Sequence, residues 1–533
     1  MNVSDAATIC CLMQSSRELY HHGPKLLIPS LLFLRHDSHL ESFMAFLAAE
    51  APYRFKFVKG IYITTPYPSI RVATLLVDFL ARFGPVLKLQ LLGLENAESI
   101  LGVHPALADA FANLEKVEKF EMGDVGPATT AMLEHSKSAL DEVTLLLDRP
   151  PTEVHAPEGE QGVHDLEAGG EEDQGDEEIS ELCCSPIFFL HKSRDTLRSL
   201  YVSRPITTPF HVLSTIQYPR LATLHLGNNE VPRTHYYAHA FPNFRTLTVC
   251  TAKDTLARLV QSEEAMLDHH NLNVALQVEH GTWTALESAS GMLIDFVLLA
   301  LTCPVRRLTV YGPRLEPHYT YLHLVLLPTQ PAYLHLDFFD FGLFAPGIFA
   351  QAMSGPTVAS LRSLEISLVL WMALDRDKID MAHALDTLVD GLGALSIRAL
   401  GLTIGWRGGP ARPLLFAIKQ HIILFTPRQP CATETYITTL DLDALARRIQ
   451  AAGSDLETVV ITLQGHRSRA DARVVVGAVT ALARGEDAVG VIPLRAPGAV
   501  KSPLSSWSKG AVVLKEKREA EQLRSLDRAR DSG

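Results

Sequence analysis

The residues of this chain best suited to chemistry are its histidines, its cysteines and a periodic set of arginines. Two tandem histidine pairs, His21–His22 and His269–His270, are the first candidates for metal or proton chemistry. Adjacent residues on a helix point in different directions, so neither pair converges on one ion. His323 and His335 lie among apolar residues and read as core or strand-surface histidines. Seven cysteines include the neighbours Cys10–Cys11 and Cys183–Cys184, with Cys250, Cys303 and Cys431 standing alone. An odd count without CxxC spacing argues against a disulfide framework and against a zinc site. Acidic neighbours raise a thiol's pKa, which blunts the reactivity of Cys183–Cys184. No G-x-S-x-G, H-E-x-x-H, Walker-type Gly-Lys-Ser/Thr or G-x-G-x-x-G spacing occurs. The expectation is a chain that catalyses nothing and needs no cofactor and no metal.

The arginines belong to a repeat. Leu221-Ala-Thr-Leu224-His-Leu226-Gly-Asn-Asn229-Glu-Val231 matches LxxLxLxxNxL at each defining position. On a strand this alternation turns Leu224 and Leu226 inward and leaves Thr223 and His225 facing out. Asn229 can satisfy backbone groups where the chain turns away. The second position of related segments holds Arg198, Arg245, Arg306, Arg362 and Arg398. Stacked repeats would align these into a stripe able to grip acidic or phosphorylated partners bidentately. The alternative is a solvated or salt-bridged edge. Ala222 and Ala332 interrupt the row, and Glu118, Asp141 and Glu457 reverse its charge elsewhere.

Elements that would carry this stripe recur in the same phase. Val86/Leu89/Leu91, Val117/Phe120/Met122, Leu140/Val143/Leu145 and Leu197/Leu200/Val202 precede Leu221. Phe244/Leu247/Val249, Val305/Leu308/Val310, Pro331/Leu334/Leu336, Leu361/Leu364/Ile366, Ile397/Leu400/Leu402 and Leu456/Val459/Ile461 follow it. Three gaps are about twice the usual spacing. One holds an acidic stretch, and Leu276/Val278 and Ile422/Leu424 are candidates for degenerate repeats in the others. Ser69–Phe83 reads as a helix with Val72, Leu75, Leu76, Phe79 and Leu80 on one face, and Leu440–Ala452 as another with Leu442, Leu445 and Ile449. The predicted fold class is α/β: an irregular leucine-rich-repeat solenoid with a strand and a helix per repeat. Polar residues at positions three and five favour one wet sheet face over a doubly wound sheet covered on both sides.

Composition adds bounds. Twelve acids and no Lys or Arg lie between Pro150 and Cys184, which leaves 48 acids against 48 bases elsewhere. That balance argues against a nucleic-acid partner. The longest apolar stretch, Met292 to Cys303, contains Asp295 and is shorter than the ~20 residues a bilayer needs. With no secretory signal at the N-terminus, a cytoplasmic or nuclear location is expected. The organisation reads as a helical segment at 1–25, repeats at 26–149, a disordered acidic loop at 150–184, repeats at 185–500 and a charged tail at 501–533. The acidic loop could also fold over the arginine row and compete with acidic partners.

The segment Val3 to Tyr20 resembles the second half of an F-box. Asp5 would cap a short helix, Ile9, Leu12 and Met13 would form its apolar face, and Ser16-Arg17-Glu18-Leu19-Tyr20 matches the motif's ending. From Leu26 onward the chain is similar to a group of fungal F-box/leucine-rich-repeat-like proteins. Ile28-Pro-Ser-Leu-Leu-Phe-Leu-Arg, Phe241-Pro-Asn-Phe-Arg-Thr-Leu, Thr282-Trp-Thr-Ala-Leu-Glu and Leu301-Thr-Cys-Pro-Val-Arg-Arg-Leu carry that resemblance. It implies that Ile9, Leu12, Met13, Leu19 and Tyr20 contact a Skp1-type adaptor while the repeats hold an unknown substrate of a cullin-based ubiquitin ligase. The chain would be a monomer outside that complex. The leading half of the motif is absent before Met1, so residues 1–25 either work as a remnant or cap the solenoid's apolar end. The alternative function is a repeat scaffold with no ligase link.

Overall fold

A computed structural model describes residues 31–147, 186–203, 216–229, 233–251, 262–311, 316–338, 342–344, 347–371, 380–393, 395–407, 432–466 and 469–477, together with Met13, Glu18, Tyr20 and Lys25. The chain forms two compact units. The first comprises residues 1–337 with 352–361, and the second 338–351 with 362–533. Both are α/β.

The first unit is a ladder of eleven strands in chain order: β1 (Leu31–Leu34), β2 (Gly60–Ile63), β3 (Leu91–Leu94), β4 (Lys119–Gly123), β5 (Glu142–Leu146), β6 (Ser199–Ser203), β7 (Thr223–Asn229), β8 (Thr246–Thr251), β9 (Leu286–Met292), β10 (Val305–Tyr311) and β11 (Tyr333–Phe338). Each pairs in parallel with the next. Parallel neighbours need a crossover, and among the described residues helical segments lie in each crossing but that from β6 to β7. The register stacks like on like: Ile61, Leu92, Phe120, Val143, Leu200, Leu224 and Leu247 lie side by side, all buried. Leu221 and Leu226 are also buried, as their repeat positions require. Asn229 ends β7 opposite Thr251, and Val231 lies outside the described residues.

From β2 to β8, and again at the second unit's strands that begin at Ser363 and Ala399, the backbone at the strand's start has one recurring device. The carbonyl of the residue before the strand accepts two N–H groups from the next strand. Arg198 O, for instance, takes Ala222 N at 2.8 Å and Thr223 N at 3.0 Å, and Ala222 O takes Arg245 N and Thr246 N, both at 3.0 Å. A carbonyl has two lone pairs for this purpose. Across the acidic stretch the device is unchanged: Asp141 O accepts from Arg198 N at 2.8 Å and Ser199 N at 3.1 Å.

Three expectations require correction. Val86/Leu89/Leu91 is out of phase by three, since Leu89, Leu92 and Leu94 are buried while Val86 is exposed and Leu91 half-buried. Strands β1 and β2 precede it unannounced, their core residues including Leu34, Ile61 and Ile63. Leu276 and Val278 belong to a helix, Glu263–His280, and the missing strand is β9. Its core positions are Ala289 and Gly291, too small to register on a leucine template. Ile422/Leu424, the acidic stretch, the C-terminal tail and most of residues 1–25 lie outside the described residues; Met13, Glu18, Tyr20 and Lys25 are helical.

The helices form where capping and amphipathic spacing agree. Helix α1 (Asp37–Ala49) precedes β2, and its Asp37 carboxylate accepts the Ser69 N–H at 3.0 Å. Ser69 in turn caps α2 (Ile70–Phe83) through Val72 N. The buried face of α2 is Val72, Ala73, Leu76, Phe79 and Leu80; Leu75, expected on that face, is exposed. Glu98 in α3 (Ala97–Gly102) reaches the next repeat and accepts from Ala128 N at 2.9 Å and Thr129 N at 3.1 Å, capping α4 (Pro127–His135). Beyond α5 (Thr234–Ala240), the long α6 (Glu263–His280) turns a buried polar stripe onto α7 (Leu293–Leu299), whose residues are all buried. His270 Nδ1–H meets Val297 O at 2.7 Å, Asn273 Nδ2 donates to Leu298 O at 2.6 Å, and Gln277 Nε2 donates to Ala300 O at 2.7 Å. Gln277 Oε1 also accepts from Thr302 N at 3.3 Å. Three side chains of one helix thus satisfy the carbonyls that end another.

The second unit holds β12 (Ser363–Trp371), β13 (Ala399–Arg407), β14 (Thr458–Gln464) and β15 (Ala472–Gly477). The first three pair in parallel, but β15 runs antiparallel to β14. The expected repeats at 185–500 therefore end in a reversal. Asp380 and Asp441 cap α8 (Met381–Leu392) and α9 (Leu442–Ala452) at 3.0 Å and 2.9 Å. Leu442, Leu445 and Ile449 are buried, as their spacing predicts. No helix among the described residues is long and apolar enough to cross a membrane.

Candidate functional site

The sheet face of the first unit opposite its apolar columns is where side chains of several repeats meet. In the central column of that face the register runs Phe33, Tyr62, Gly93, Glu121, Thr144, Tyr201, His225, Thr248, Ser290, Thr309, His335. Beside it runs Leu31, Gly60, Leu91, Lys119, Glu142, Ser199, Thr223, Thr246, Ser288, Arg307, Tyr333. Its chemistry changes along the ladder.

On β1 to β3 the face is apolar. Phe33 is 47% exposed and packs against Tyr62 at a centroid distance of 5.5 Å. The Tyr62 ring lies flat over Gly93, where a Cβ would stand 2.2 Å from its Cδ2. Burial pushes the Tyr62 hydroxyl's pKa up, and the nearby Glu121 and Glu95 carboxylates add to it.

Strands β4 and β5 carry charge. Lys119 Nζ lies 2.9 Å from Glu121 Oε1 and 2.7 Å from Glu142 Oε1. Burial would lower the Lys119 pKa, but its bonds to Glu142 and Glu121 outweigh that and raise it. Two carboxylates and one ammonium leave the trio net negative.

From β6 to β9 the floor turns to hydroxyls between aromatic walls. Tyr201 leans over Gly227, with 2.7 Å between its oxygen and the site of a Cβ there, and sits 6.1 Å from the His225 ring. Burial lowers the His225 pKa against the opposing pull of Glu142, and burial raises that of Tyr201. Ser288 Oγ donates to Thr246 Oγ1 at 3.2 Å, and Thr248 and Ser290 hydroxyls meet at 3.1 Å. Tyr311 shares a hydrogen bond with Ser290, while burial and Asp337 raise its pKa.

Arg198, Arg245 and Arg306 occupy the rim below this face, and Arg362 and Arg398 stand just before strands of the second unit. All five arginines are exposed. In the first unit the backbone ladder orders the rim as Asp141, Arg198, Ala222, Arg245, Glu287. Glu287 also falls beside Arg306, between the registered pairs Val305↔Leu286 and Arg307↔Ser288. Arg198 Nε lies 3.2 Å from Asp141 Oδ1. In the second unit Arg398 follows Arg362 directly, and its Nε lies 3.9 Å from Glu457 Oε1. Acids thus flank several of the arginines, and Glu287 escaped notice because its strand did. Two of the five arginines, Arg198 and Arg398, thus lie in exposed ion pairs.

The F-box-like residues divide. Ile9, Leu12 and Leu19 lie outside the described residues, Met13 is buried, and Tyr20 is held by Arg54. Arg54 donates to the Tyr20 hydroxyl at 2.8 Å and to Phe46 O at 2.7 Å, and pairs with Glu50 at 3.2 Å. Its guanidinium also stacks on Phe46, 4.1 Å from the ring centroid.

Several of the candidate histidines and cysteines fall among the described residues. His269 accepts from Asn273 at 3.0 Å and His270 caps α7, so the tandem pair is spent on packing. His323 is exposed and bonded to Thr320 O, and His335 stands on the sheet face. Cys303 is buried, which pushes its thiol up to about 11; Cys250 is exposed on β8. His21–His22, Cys10–Cys11, Cys183–Cys184 and Cys431 lie outside the described residues. Among the described residues no group of three His, Cys, Asp or Glu side chains could hold a metal ion.

Sequence reasoning placed the outward residues at positions three and five but not their neighbours across strands. The pairing of Tyr62 with Gly93, or Lys119 with Glu142, needs the register. No protein-family model matches the chain, and no curated protein matches it significantly.

Proposed function

We propose that the chain is a non-enzymatic, protein-binding scaffold of leucine-rich-repeat type, and that the outward sheet face of its first unit is the recognition surface. The observation that carries this is the contrast between the two sides of one ladder. Inward columns stay apolar from strand to strand, whereas outward columns pass from apolar to acidic to hydroxyl and aromatic along one continuous parallel ladder, whose pairing shifts between β7 and β8 only past Gly227. The core maintains the ladder, which leaves the outward residues available for binding.

A photo-cross-linking residue at Thr223 or Thr246 should capture protein partners in cells, and one at Asp78 on the exposed side of α2 should not. Equal capture from both positions, or from neither, removes the reading.

The second reading is a substrate-recognition subunit of an SCF-type ubiquitin ligase, supported by the resemblance of residues 1–25 to half an F-box. Of the residues that resemblance assigns to an adaptor, Met13 is buried, and the Tyr20 hydroxyl is bound by Arg54 while its side chain stays 36% exposed. That observation favours a capping role for the segment. Co-purification of a Skp1-type partner, lost on Tyr20→Ala, would reverse the order of the two readings.

A further inference from the structure

Apart from histidines, charge enters the two outward columns of the first unit at Lys119, Glu121, Glu142 and Arg307. The first three hold one another. Arg307, on β10, does not share in this: among the described residues its side chain forms no ion pair and no hydrogen bond. It is nevertheless half-buried, so part of its hydration is lost with nothing in its place. Ser288 and Tyr333 stand on either side of it, each about 5 Å away across the strands. Thr309 follows two positions along β10, and Ser290 and His335 lie on the diagonals. These neighbours offer hydroxyls and a ring but no carboxylate. Glu287 is exposed at the rim and forms no ion pair with Arg307, and Asp337 stands opposite Tyr311, about 13 Å further along the strands. The Thr309 hydroxyl is likewise without a partner among the described residues. Ser288 Oγ donates to Thr246 Oγ1, which keeps the Thr246 proton for an incoming acceptor. Solvent reaches the whole patch: Tyr311 is 37% exposed, and Thr246, Ser288, Ser290, Thr309 and Tyr333 are half-buried.

We propose that Arg307 receives a carboxylate from a protein partner, an aspartate or glutamate in a segment that lies across β8 to β10. A guanidinium presents two parallel N–H groups to a carboxylate, whose remaining lone pairs suit the Thr309 hydroxyl beside it. Toward β8, the Thr246 hydroxyl donates to a carbonyl of the same segment. Between Glu142 and Arg307 neither column holds a carboxylate, an ammonium or another guanidinium, so the acid is what selects the partner. A carboxylate suits the patch better than a phosphate dianion, because one guanidinium faces it and not a cluster. Arg245 and Arg306 belong to the rim, with Glu287 between them. The proposal rests on the outward face being the recognition surface, and it names the partner's chemistry there.

The test is selection of a random peptide library displayed on phage against the full chain, with Arg307→Gln, Arg307→Glu and Arg306→Gln chains in parallel. Arg307 makes no bond that its substitution would break, and circular dichroism confirms that each variant is folded. Selected peptides should carry aspartate or glutamate at one fixed position, enriched about tenfold over lysine and arginine. Arg307→Gln should abolish that enrichment and Arg307→Glu should turn it toward lysine and arginine, while Arg306→Gln leaves it unchanged. Absence of enrichment, or an equal loss with Arg306→Gln, overturns the proposal. So does a phosphoserine in place of the selected acid that binds the full chain more than about tenfold tighter, which would mark a phosphorylated partner. Cross-links from Thr223 that persist beside such a failure leave the recognition surface standing without this contact.

Discussion

Arg54 donates a hydrogen bond of 2.8 Å to the Tyr20 hydroxyl across 34 positions of chain. The same guanidinium holds Glu50 and Phe46 O, and it is buried. Arg54→Met keeps the stem but leaves Glu50 without this cation, and should cost about 2–4 kcal/mol. Tyr20→Phe removes one bond and should cost about 1 kcal/mol. Urea unfolding of the two variants checks the ranking; equal effects would show that the ring contact dominates over the bond.

Acid should weaken the first unit through His235. This residue of α5 is buried against His280, 5.3 Å between ring centroids, with Arg233 adjacent. Burial, then the His280 and Arg233 charges, lower its pKa from 6.5 to about 4. The unfolded chain takes up a proton below pH 6.5 that the folded chain refuses until about pH 4. The contribution is therefore complete above pH 6.5, falls as pH drops through the window between these values and is flat below it. A His235→Gln chain should show a shallower loss of stability between those pH values in thermal melts. An unchanged slope would remove His235 from the account.

Gln277 offers the sharpest stability test. Its amide serves Asn273 O, Ala300 O, Thr282 and Thr302 at once from a buried position. Gln277→Leu preserves volume but strands these groups, and a destabilisation of about 2–4 kcal/mol is expected. Hydrogen exchange at Thr302 N, which loses its acceptor, should quicken more than exchange within β9.

Gly93 and Tyr62 should behave as a coupled pair. Gly93→Ala drives a methyl into the Tyr62 ring and should cost about 1–3 kcal/mol. In a Tyr62→Ala background the same change should cost far less, because the three atoms nearest to the added methyl all belong to the Tyr62 ring. Additive effects in this double-mutant cycle would mean that the ring does not rest where the register puts it.

Much of the ladder was legible because leucine at positions four and six is both a core residue and a periodic mark. Leu200, Leu224, Leu247, Leu308 and Leu334 all sit where that pattern predicts. The pattern failed where the core takes small residues, as at Ala289 and Gly291, and where a tandem of leucines allowed two phases, as at Leu89 to Leu94. A helix heptad and a strand alternation also overlap over short stretches, which is how Leu276 and Val278 in α6 passed for a strand. The face itself was harder to read. Which residue stands next to which depends on pairing between segments tens of residues apart, and so the alternation of Glu287 with Arg245 and Arg306 was invisible until β9 was in place.

The doubly accepting carbonyl at the start of most strands has an evolutionary consequence. Where it occurs, the crossing ends by clasping the same backbone atom, so an insertion upstream resets to zero before the next strand begins. The long acidic stretch between β5 and β6 changes nothing in the pairing of Val143 with Leu200. Such a chain can lengthen or replace any connection independently, and its lineage can try new loops one at a time without renegotiating the rest of the protein.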